Sequence, residues 1–252
     1  SEEMIRHNWK ASRFLPTGLC ALIHRRTGGN PFFIEEIGNA LREEGTVVIR
    51  DGEAALTRPV ESVRLPETVH AVIQARVDRL GAEAREALRL ASVIGREFDR
   101  RLLEAIHPAP QRLPGLLEEI GAADLAQQTR VLPQPGYMFK HVLTQAVVYE
   151  TLLHQQRKEL HGRVGAAIER LFAERLDEHY EALAHHYGLS AETEKAIHYL
   201  ELAGDKAAEV FSLREARSHY WGAIERIDAE PLTVARKRRR VGLALKLAKA
   251  SY

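Results

Sequence analysis

The sequence predicts a mainly α protein with two small β hairpins, and three observations carry that prediction. Apolar residues recur every three or four positions along most of the chain, for example between residues 66 and 80. Segments rich in β-branched or aromatic residues flank a turn in two places, around residues 51–52 and around residues 133–136. Small residues recur in pairs at Ala196 and Ala203 and at Ala216 and Ala223, a pattern typical of closely stacked helices.

Composition bounds the class of protein. The chain has 252 residues, 45% of them hydrophobic and 28% charged, as in a globular protein with one large or two to three small domains. A formal net charge of +1 gives no general attraction to nucleic acid or to an acidic membrane surface. The single Cys20 excludes an internal disulfide, and no apolar run approaches the roughly 20 residues that span a bilayer. We therefore expect a cytoplasmic protein.

A sharp turn at residues 26–33 (Arg-Thr-Gly-Gly-Asn-Pro-Phe-Phe) separates two helical patterns. Gly28 and Gly29 allow positive φ angles, and Pro31 suits the first turn of a helix, where its missing N–H is not needed. On local chemistry alone this is an ordinary corner between two helices, with Asn30 as the N-cap. The second helix is expected to end near Gly45. Its buried face is predicted to contain Phe32, Ile34, Ile37 and Leu41.

The regions on either side of this corner contain shorter signals. Residues 1–14 are polar, with Trp9 and Phe14 as candidate anchors, and we expect them to be partly disordered or to form a helix with a preceding domain. A first helix is expected to start at Leu15-Pro16. Residues 46–49 and 54–57 flank Asp51-Gly52, which predicts a short β hairpin.

Residues 66–139 follow the order of a winged helix, which is three short helices and then a β hairpin. Helical periods at residues 66–80 and 83–94 lead to a short helix that Asp99 can cap. A further helix, which we interpret as the third helix of the winged helix, follows a proline-rich break. Two β-like arms, residues 130–132 and 137–139, then flank the turn.

Many winged helices bind DNA, so the charge of the third helix decides between two functions. A DNA-reading helix needs Lys and Arg to neutralise phosphates. Here Arg112 is accompanied by Glu118, Glu119 and Asp124, and these carboxylates would repel a duplex. We therefore predict a winged helix that packs against protein.

The last hundred residues read as helical repeats that follow a long helix at residues 154–174. None of the 12 histidines has His-Glu-x-x-His spacing, so we expect no metal site and predict that His185 and His186 pack within the first repeat. The basic run at residues 236–240 could suggest nucleic acid or acidic lipid. Apolar residues follow it, so we predict the solvated start of a further helix.

Catalytic motifs are absent from the sequence. A phosphate-binding loop needs Gly-x-x-x-x-Gly-Lys-Ser/Thr, because backbone N–H groups, the Lys and the hydroxyl must hold phosphate and Mg²⁺. No stretch of the chain matches that pattern, and no Gly-x-Ser-x-Gly elbow occurs. We therefore expect no catalytic activity from this chain alone.

Several segments, taken in order, resemble the STAND-type AAA-related signalling ATPases. Residues 29–37 (Gly-Asn-Pro-Phe-Phe-Ile-Glu-Glu-Ile) resemble the Gly-x-Pro turn in the lid behind the nucleotide domain. Residues 65–69 (Leu-Pro-Glu-Thr-Val), 76–80 (Arg-Val-Asp-Arg-Leu) and 91–98 resemble the entry to that family's winged-helix domain. Residues 139–141 (Phe-Lys-His) resemble its end, and the remainder resembles tetratricopeptide-like (TPR-like) repeats.

The resemblance implies the domain organisation and the site. It implies lid helices and a hairpin at residues 1–64, a winged-helix domain at 65–153 and the start of a TPR-like α-solenoid at 154–252. It also implies that Gly29, Asn30 and Pro31 face a nucleotide, with Pro31 on the adenine, and that His141 reaches the β-phosphate. An imidazole near a helix N-terminus is a sensible phosphate donor. A capping or core histidine stays an equal alternative, because Val142 replaces the carboxylate found in the Met-His-Asp motif of relatives.

The expected function follows from this resemblance. The chain is expected to be a regulatory segment of a longer protein, in which a missing nucleotide-binding domain holds ATP or ADP, and this segment alone is expected to need no cofactor. The repeats would bind protein partners, with no role for nucleic acid or membrane. The output would be an adenylate or guanylate cyclase domain. The alternatives are a helical scaffold that never meets nucleotide and a winged-helix transcription regulator of LuxR type.

Overall fold

The computed structural model describes Glu3 and residues 17–50, 53–130, 135–231 and 233–251. Within that part of the chain the protein is mainly α, as predicted, with twelve α-helices and five short strands. The helices are α1 Thr17–Thr27, α2 Pro31–Glu43, α3 Val69–Arg79, α4 Ala82–Ile94, α5 Arg100–Ile106, α6 Leu113–Ala122, α7 Val142–Glu150, α8 His154–Leu171, α9 Tyr180–Gly188, α10 Thr193–Glu209, α11 Leu213–Asp228 and α12 Val234–Lys249. The strands are β1 Val47–Arg50, β2 Glu53–Leu56, β3 Glu97–Asp99, β4 Ala126–Arg130 and β5 Gly136–Phe139.

The chain forms two compact units. Residues 1–85 and 141–148 make up the first unit, and residues 86–140 and 149–252 make up the second. The three-domain division at residues 64 and 153 stays a prediction. The expectations for residues 1–14, for the helix start at Leu15-Pro16 and for the turns at 51–52 and 133–134 lie outside the described residues.

The first unit has a core formed by α1, α2 and the hairpin. Antiparallel pairing of β1 with β2, from Val47 opposite Leu56 to Arg50 opposite Glu53, confirms the first predicted hairpin. Gly45 has φ 66° and its N–H donates to the carbonyl of Arg42, so the end of α2 is also as predicted. One detail of the predicted buried face is wrong, because Phe33 lies in the core while Phe32 is only partly buried. The core contains Leu19, Ile23, Phe33, Ile34, Ile37, Leu41, Val47, Ala54 and Val72.

The second unit begins with part of the segment that the sequence predicts to be a winged helix. β5 lies between β3 and β4 in an antiparallel three-stranded sheet, next in sequence to α5 and α6. Asp99 caps α5 as predicted, because its Oδ1 accepts from the N–H of Arg101 at 2.7 Å. The sequence prediction omitted β3 and placed the first arm at residues 130–132, whereas the strand is Ala126–Arg130. Residues 131 and 132 lie outside the described part of the chain.

The helices of the second unit that follow α7 pack as antiparallel neighbours. Ala196, Ala203, Ala216 and Ala223 are all buried, which confirms that these small residues lie between helices. Close approach is greatest beside Gly204, where an added Cβ would lie 2.5 Å from the Tyr220 ring. A side chain at that position would push α10 and α11 apart.

Two predictions for this region need correction. The long helix ends at Leu171 rather than near residue 174, and a 3₁₀ helix, Ala173–His179, follows it. The basic run at residues 236–240 does begin a helix, but it is not simply solvated. Arg236 and Arg239 are only 21% and 29% exposed and pair with carboxylates of α10. Across the described residues, no helix has the length and apolar character needed to cross a membrane.

Candidate functional site

The turn before α2 has the backbone geometry that its glycines permit. Gly28 and Gly29 have φ angles of 58° and 81°, in the region that favours glycine. The turn is closed by the N–H of Asn30, which donates to the carbonyl of Thr27 at 3.0 Å. The N–H of Gly29 also donates to Oγ1 of Thr27 at 3.3 Å. A side chain at either glycine would strain this turn.

Asn30 and Pro31 then start α2 in the predicted way. Oδ1 of Asn30 accepts a hydrogen bond from the N–H of Phe33 at 3.2 Å, so Asn30 is the N-cap. Pro31 occupies the first turn and is exposed. The capping role proposed on local chemistry is therefore confirmed, and it leaves the Pro31 ring accessible at the helix start.

His141 lies beside this helix start although 110 residues separate it from Pro31 in sequence. Its ring centroid is 4.1 Å from that of Phe32, with the ring planes tilted by 49°. Its Nε2 atom lies 4.0 Å from a carboxylate oxygen of Glu35, one turn further along α2. All these residues belong to the first unit. The fold thus places His141 against Phe32 and Glu35 of α2, while its relation to Gly29, Asn30 and Pro31 as one site stays a prediction.

This arrangement can interact with an anion, but one group opposes that interaction. The N-terminus of α2 carries partial positive charge, and an imidazole N–H adds a donor beside it. The carboxylate of Glu35 faces Nε2 of His141 and would repel an approaching phosphate. The Nε2 atom is also buried, so an anion bound through it would have to compete with Glu35 and would require the ring to become exposed.

Sequence reasoning missed a buried ion pair next to this site. Glu36 of α2 and Arg76 of α3 are 1% and 3% exposed, and Oε2 of Glu36 accepts from Nη1 of Arg76 at 2.6 Å. A carboxylate oxygen of Glu43 lies 3.7 Å from Nε of the same arginine. The other oxygen of Glu43 lies 2.6 Å from Nη1 of Arg79. The pair joins the two sequence segments that resemble a lid and a winged-helix entry. The available signal was a charge on the apolar face of each helix.

A second polar cluster lies inside the second unit. Nδ1 of His161 and Nδ1 of His186 are 2.9 Å apart, so one of these nitrogens must carry a proton that the other accepts. Nε2 of His161 is 3.0 Å from the hydroxyl of Tyr149. Burial, reinforced by His185, lowers the pKa of His161 to about 4, and burial with His161 nearby lowers that of His186 to about 3.

Both buried imidazoles are therefore neutral near pH 7 and hydrogen-bonded within the protein. This agrees with packing as the role predicted for His186, whereas His185 is exposed. A separate network surrounds Glu169, which accepts hydrogen bonds from Tyr187, Lys195 and Tyr199, each at 2.7 Å. Both networks satisfy polar groups between helices. In the part of the chain that the structure describes, no group of three or more His, Cys, Asp or Glu side chains is arranged to hold a metal ion.

Comparison with known proteins gives two matches. The family model described as "Domain of unknown function (DUF8739)" matches residues 1–55, which include the turn and α2. A protein of Rhizobium meliloti (strain 1021), named "Uncharacterized protein R02095", is 29% identical over 229 residues. That match covers 88% of this chain and 21% of the other protein, so the chain spans about a fifth of the length of this curated relative.

Proposed function

We propose that this chain is the regulatory region of a STAND-type signalling ATPase of the cytoplasm, which couples nucleotide state and partner binding to an output domain such as a nucleotide cyclase. The observation that carries the proposal is the position of His141 against Phe32 at the start of α2. Residues 29–37 and 139–141 each resemble a nucleotide-facing motif, and Phe32 of the first segment contacts His141 of the second. The Rhizobium relative supports the proposal in one further respect, since the matched region is 21% of a longer protein.

Three features of this place support a nucleoside diphosphate as the ligand. The exposed Pro31 ring offers an apolar surface suited to a purine face, and the start of α2 and the imidazole of His141 offer positive potential suited to phosphate. The nucleotide would supply a charged link between this region and the domain that holds its phosphates. His141 would donate from Nε2 once its interaction with Glu35 is given up. Glu35 would then favour the nucleotide-free arrangement.

A nucleotide-independent scaffold is the second candidate, and one observation favours it. His141 already contacts Phe32 and faces Glu35, so its position has a structural explanation within the first unit. In that case the turn and the histidine would only stabilise the packing of α2. The two candidates differ in whether exchange of Glu35 or His141 changes nucleotide retention.

The test uses the longer protein that includes the preceding nucleotide-binding domain. Loss of a charge-assisted hydrogen bond costs about 1.5–3 kcal/mol, so His141→Ala should reduce ADP affinity roughly tenfold or more and raise basal output. Glu35→Gln should do the opposite, because it removes the competing carboxylate. Arg170→Ala, an exposed substitution in α8, is the control. ADP content after purification and output activity without inducer are measured.

The two candidates predict different results for these variants. Lower retention in His141→Ala together with higher retention in Glu35→Gln would support the nucleotide switch. Unchanged retention and output in both variants, with the purified proteins still folded by circular dichroism, would reject it and favour the scaffold.

A further inference from the structure

The last described helix, α12, turns its basic side chains toward acidic side chains of α10. Nη2 of Arg236 lies 2.7 Å from Glu194 and Nη2 of Arg239 lies 3.2 Å from Glu201. Lys246 contacts Glu201 at 2.8 Å and Asp205 at 2.7 Å. These ion pairs extend from Glu194 to Asp205 along α10 and from Arg236 to Lys246 along α12, and they are all within the second unit.

Three of the four acidic residues of α10 contact α12, and these three lie on one face of α10. Glu194, Glu201 and Asp205 are separated by seven and four positions, which places them in a single stripe. We call this stripe the acidic face of α10. On α12, Arg236, Arg239 and Lys246 are separated by three and seven positions, which also places them on one face of their helix. Two members of the basic run thus pair with carboxylates of α10, while Arg240 pairs with Asp228 of α11.

Few apolar side chains hold α12, although Leu247 packs, partly buried, against the same cluster as Leu243. Leu243 is its one fully buried apolar side chain, followed by Ala250 just after the helix. Val234, Val241 and Leu245 of α12 are 68%, 58% and 60% exposed. By contrast, α10 and α11 bury a row of small and aromatic side chains between them. Partly exposed ion pairs individually stabilise proteins little, so α12 is held less firmly than the helices it covers.

We propose that the acidic face of α10 is a docking surface for a basic helix of a protein partner, and that α12 occupies this surface until the partner replaces it. The partner helix would carry Arg or Lys at three positions with the spacing of Arg236, Arg239 and Lys246. It would also carry a Leu at the position that corresponds to Leu243. This docking proposal extends one part of the proposed function, the binding of a protein partner, and it rests on that part alone. Nucleotide plays no part in the test, so the two ideas can fail separately.

The first experiment measures whether α12 is an electrostatically held element. Hydrogen exchange of the full chain is compared at roughly 0.01 M and 1 M NaCl, where the Debye length falls from about 30 Å to about 3 Å. Exchange in α12 should accelerate about tenfold or more at high salt while α10 and α11 keep their protection. Equal exchange of α12 at both salt concentrations would overturn the proposal. So would loss of protection in all three helices together.

The second experiment measures docking directly. The probe is a fluorescent peptide with the sequence of residues 233–251, added to the full chain and to the variant Arg239→Glu/Lys246→Glu, whose own α12 should be displaced. An intramolecular helix competes at an effective concentration of about a millimolar, so the peptide should bind the variant at least about tenfold more tightly. Lys237→Glu, at an exposed position of the same helix, is the matched control and should bind like the native chain.

A charge-reversed peptide separates specific docking from general adhesion. With Glu at the positions of Arg236, Arg239 and Lys246, the peptide should lose binding to the double variant. Adding Glu201→Lys to that variant should weaken binding of the native peptide, since Glu201 contacts both basic positions. Equal binding of the two peptides, or equal affinity for the native chain and the double variant, would overturn the proposal.

Discussion

The ion pair between Glu36 and Arg76 gives the sharpest prediction for stability. Both side chains are almost fully buried, and the oxygen and nitrogen are 2.6 Å apart. Removing one partner leaves an uncompensated charge in the interior, which typically costs about 3–5 kcal/mol. We expect Arg76→Met to reach that range, because Glu36 would lose the only cation that contacts it among the described residues.

The reverse substitution should cost less. In Glu36→Met, Arg76 keeps the half-exposed carboxylate of Glu43, 3.7 Å from its Nε. The expected loss is therefore near or below the lower end of the range, about 2–3 kcal/mol. The double variant Glu36→Met/Arg76→Met buries two apolar side chains of similar length and should lie within about 1 kcal/mol of the native chain.

Native-state hydrogen exchange of α2 and α3 is the appropriate assay. The chain has two compact units, so a single unfolding transition cannot be assumed, whereas exchange reports the local free energy of opening. The double-mutant cycle then gives the coupling energy between the two side chains. The reasoning is refuted if the double variant is as unstable as Arg76→Met, because the cost would then come from lost packing rather than from an unpaired charge.

Two further predictions concern the second unit. Burial depresses the pKa values of His161 and His186 below 6.5, so the unfolded chain takes up protons at these residues before the folded chain does. The free energy of unfolding is therefore highest above about pH 6.5 and falls below it, by about 2 kcal/mol for each histidine at pH 5. Replacing both by Leu should flatten the pH dependence of the opening free energy of α8 and α9, measured by native-state hydrogen exchange between pH 7.5 and 5, and an unchanged slope would reject the linkage. Gly204→Ala should destabilise by about 1–3 kcal/mol, because its Cβ would lie 2.5 Å from the ring of Tyr220. In Gly222→Ala, in the neighbouring helix, the nearest atom to the added Cβ is 3.8 Å away, so this variant should be neutral or stabilising. Equal losses of the two variants in the opening free energy of α10 and α11, measured by hydrogen exchange, would contradict the packing argument.

Local chemistry explains which parts of the fold the sequence could predict. The turn and cap before α2 depend on residues within four positions of one another, and the structure has them as expected. The capping of α5 by Asp99 is similarly local. In these cases a single residue type, Gly, Asn, Pro or Asp, has a conformational or hydrogen-bonding property that decides the local structure.

Strand β4 shows why other parts could not be predicted. β4 contains Gln127 and Gln128, which have no strong strand preference, while the β-branched Val131 drew the prediction further along the chain. The strand forms where it pairs with β5, with Ala126 opposite Phe139. A turn at Asp124, with φ 58°, precedes it. The position of β4 is thus set by a partner strand, and the sequence near it carries little of that information.

The basic run of α12 illustrates the same limit for charge. Arg236 and Glu194 are 42 positions apart, so no local pattern indicates their contact. A run of positive charge is usually solvated, but here three of its members lie against acidic residues. The seven-residue spacing of the acidic residues Glu194 and Glu201 in α10 can be read from the sequence. It became informative only once a basic helix was known to lie beside it.

The buried pair of Glu36 and Arg76 also bears on the candidate site, because it restricts how α2 can be placed on α3. Apolar side chains tolerate small rotations of a helix, whereas a hydrogen-bonded ion pair is satisfied in one arrangement. The start of α2, where Phe32 contacts His141, should depend on that arrangement. The double Met variant separates the two roles, since it should recover stability while the His141 ring signal in NMR becomes broad or doubled. A single sharp signal at the native position would mean that apolar packing alone is enough to place α2.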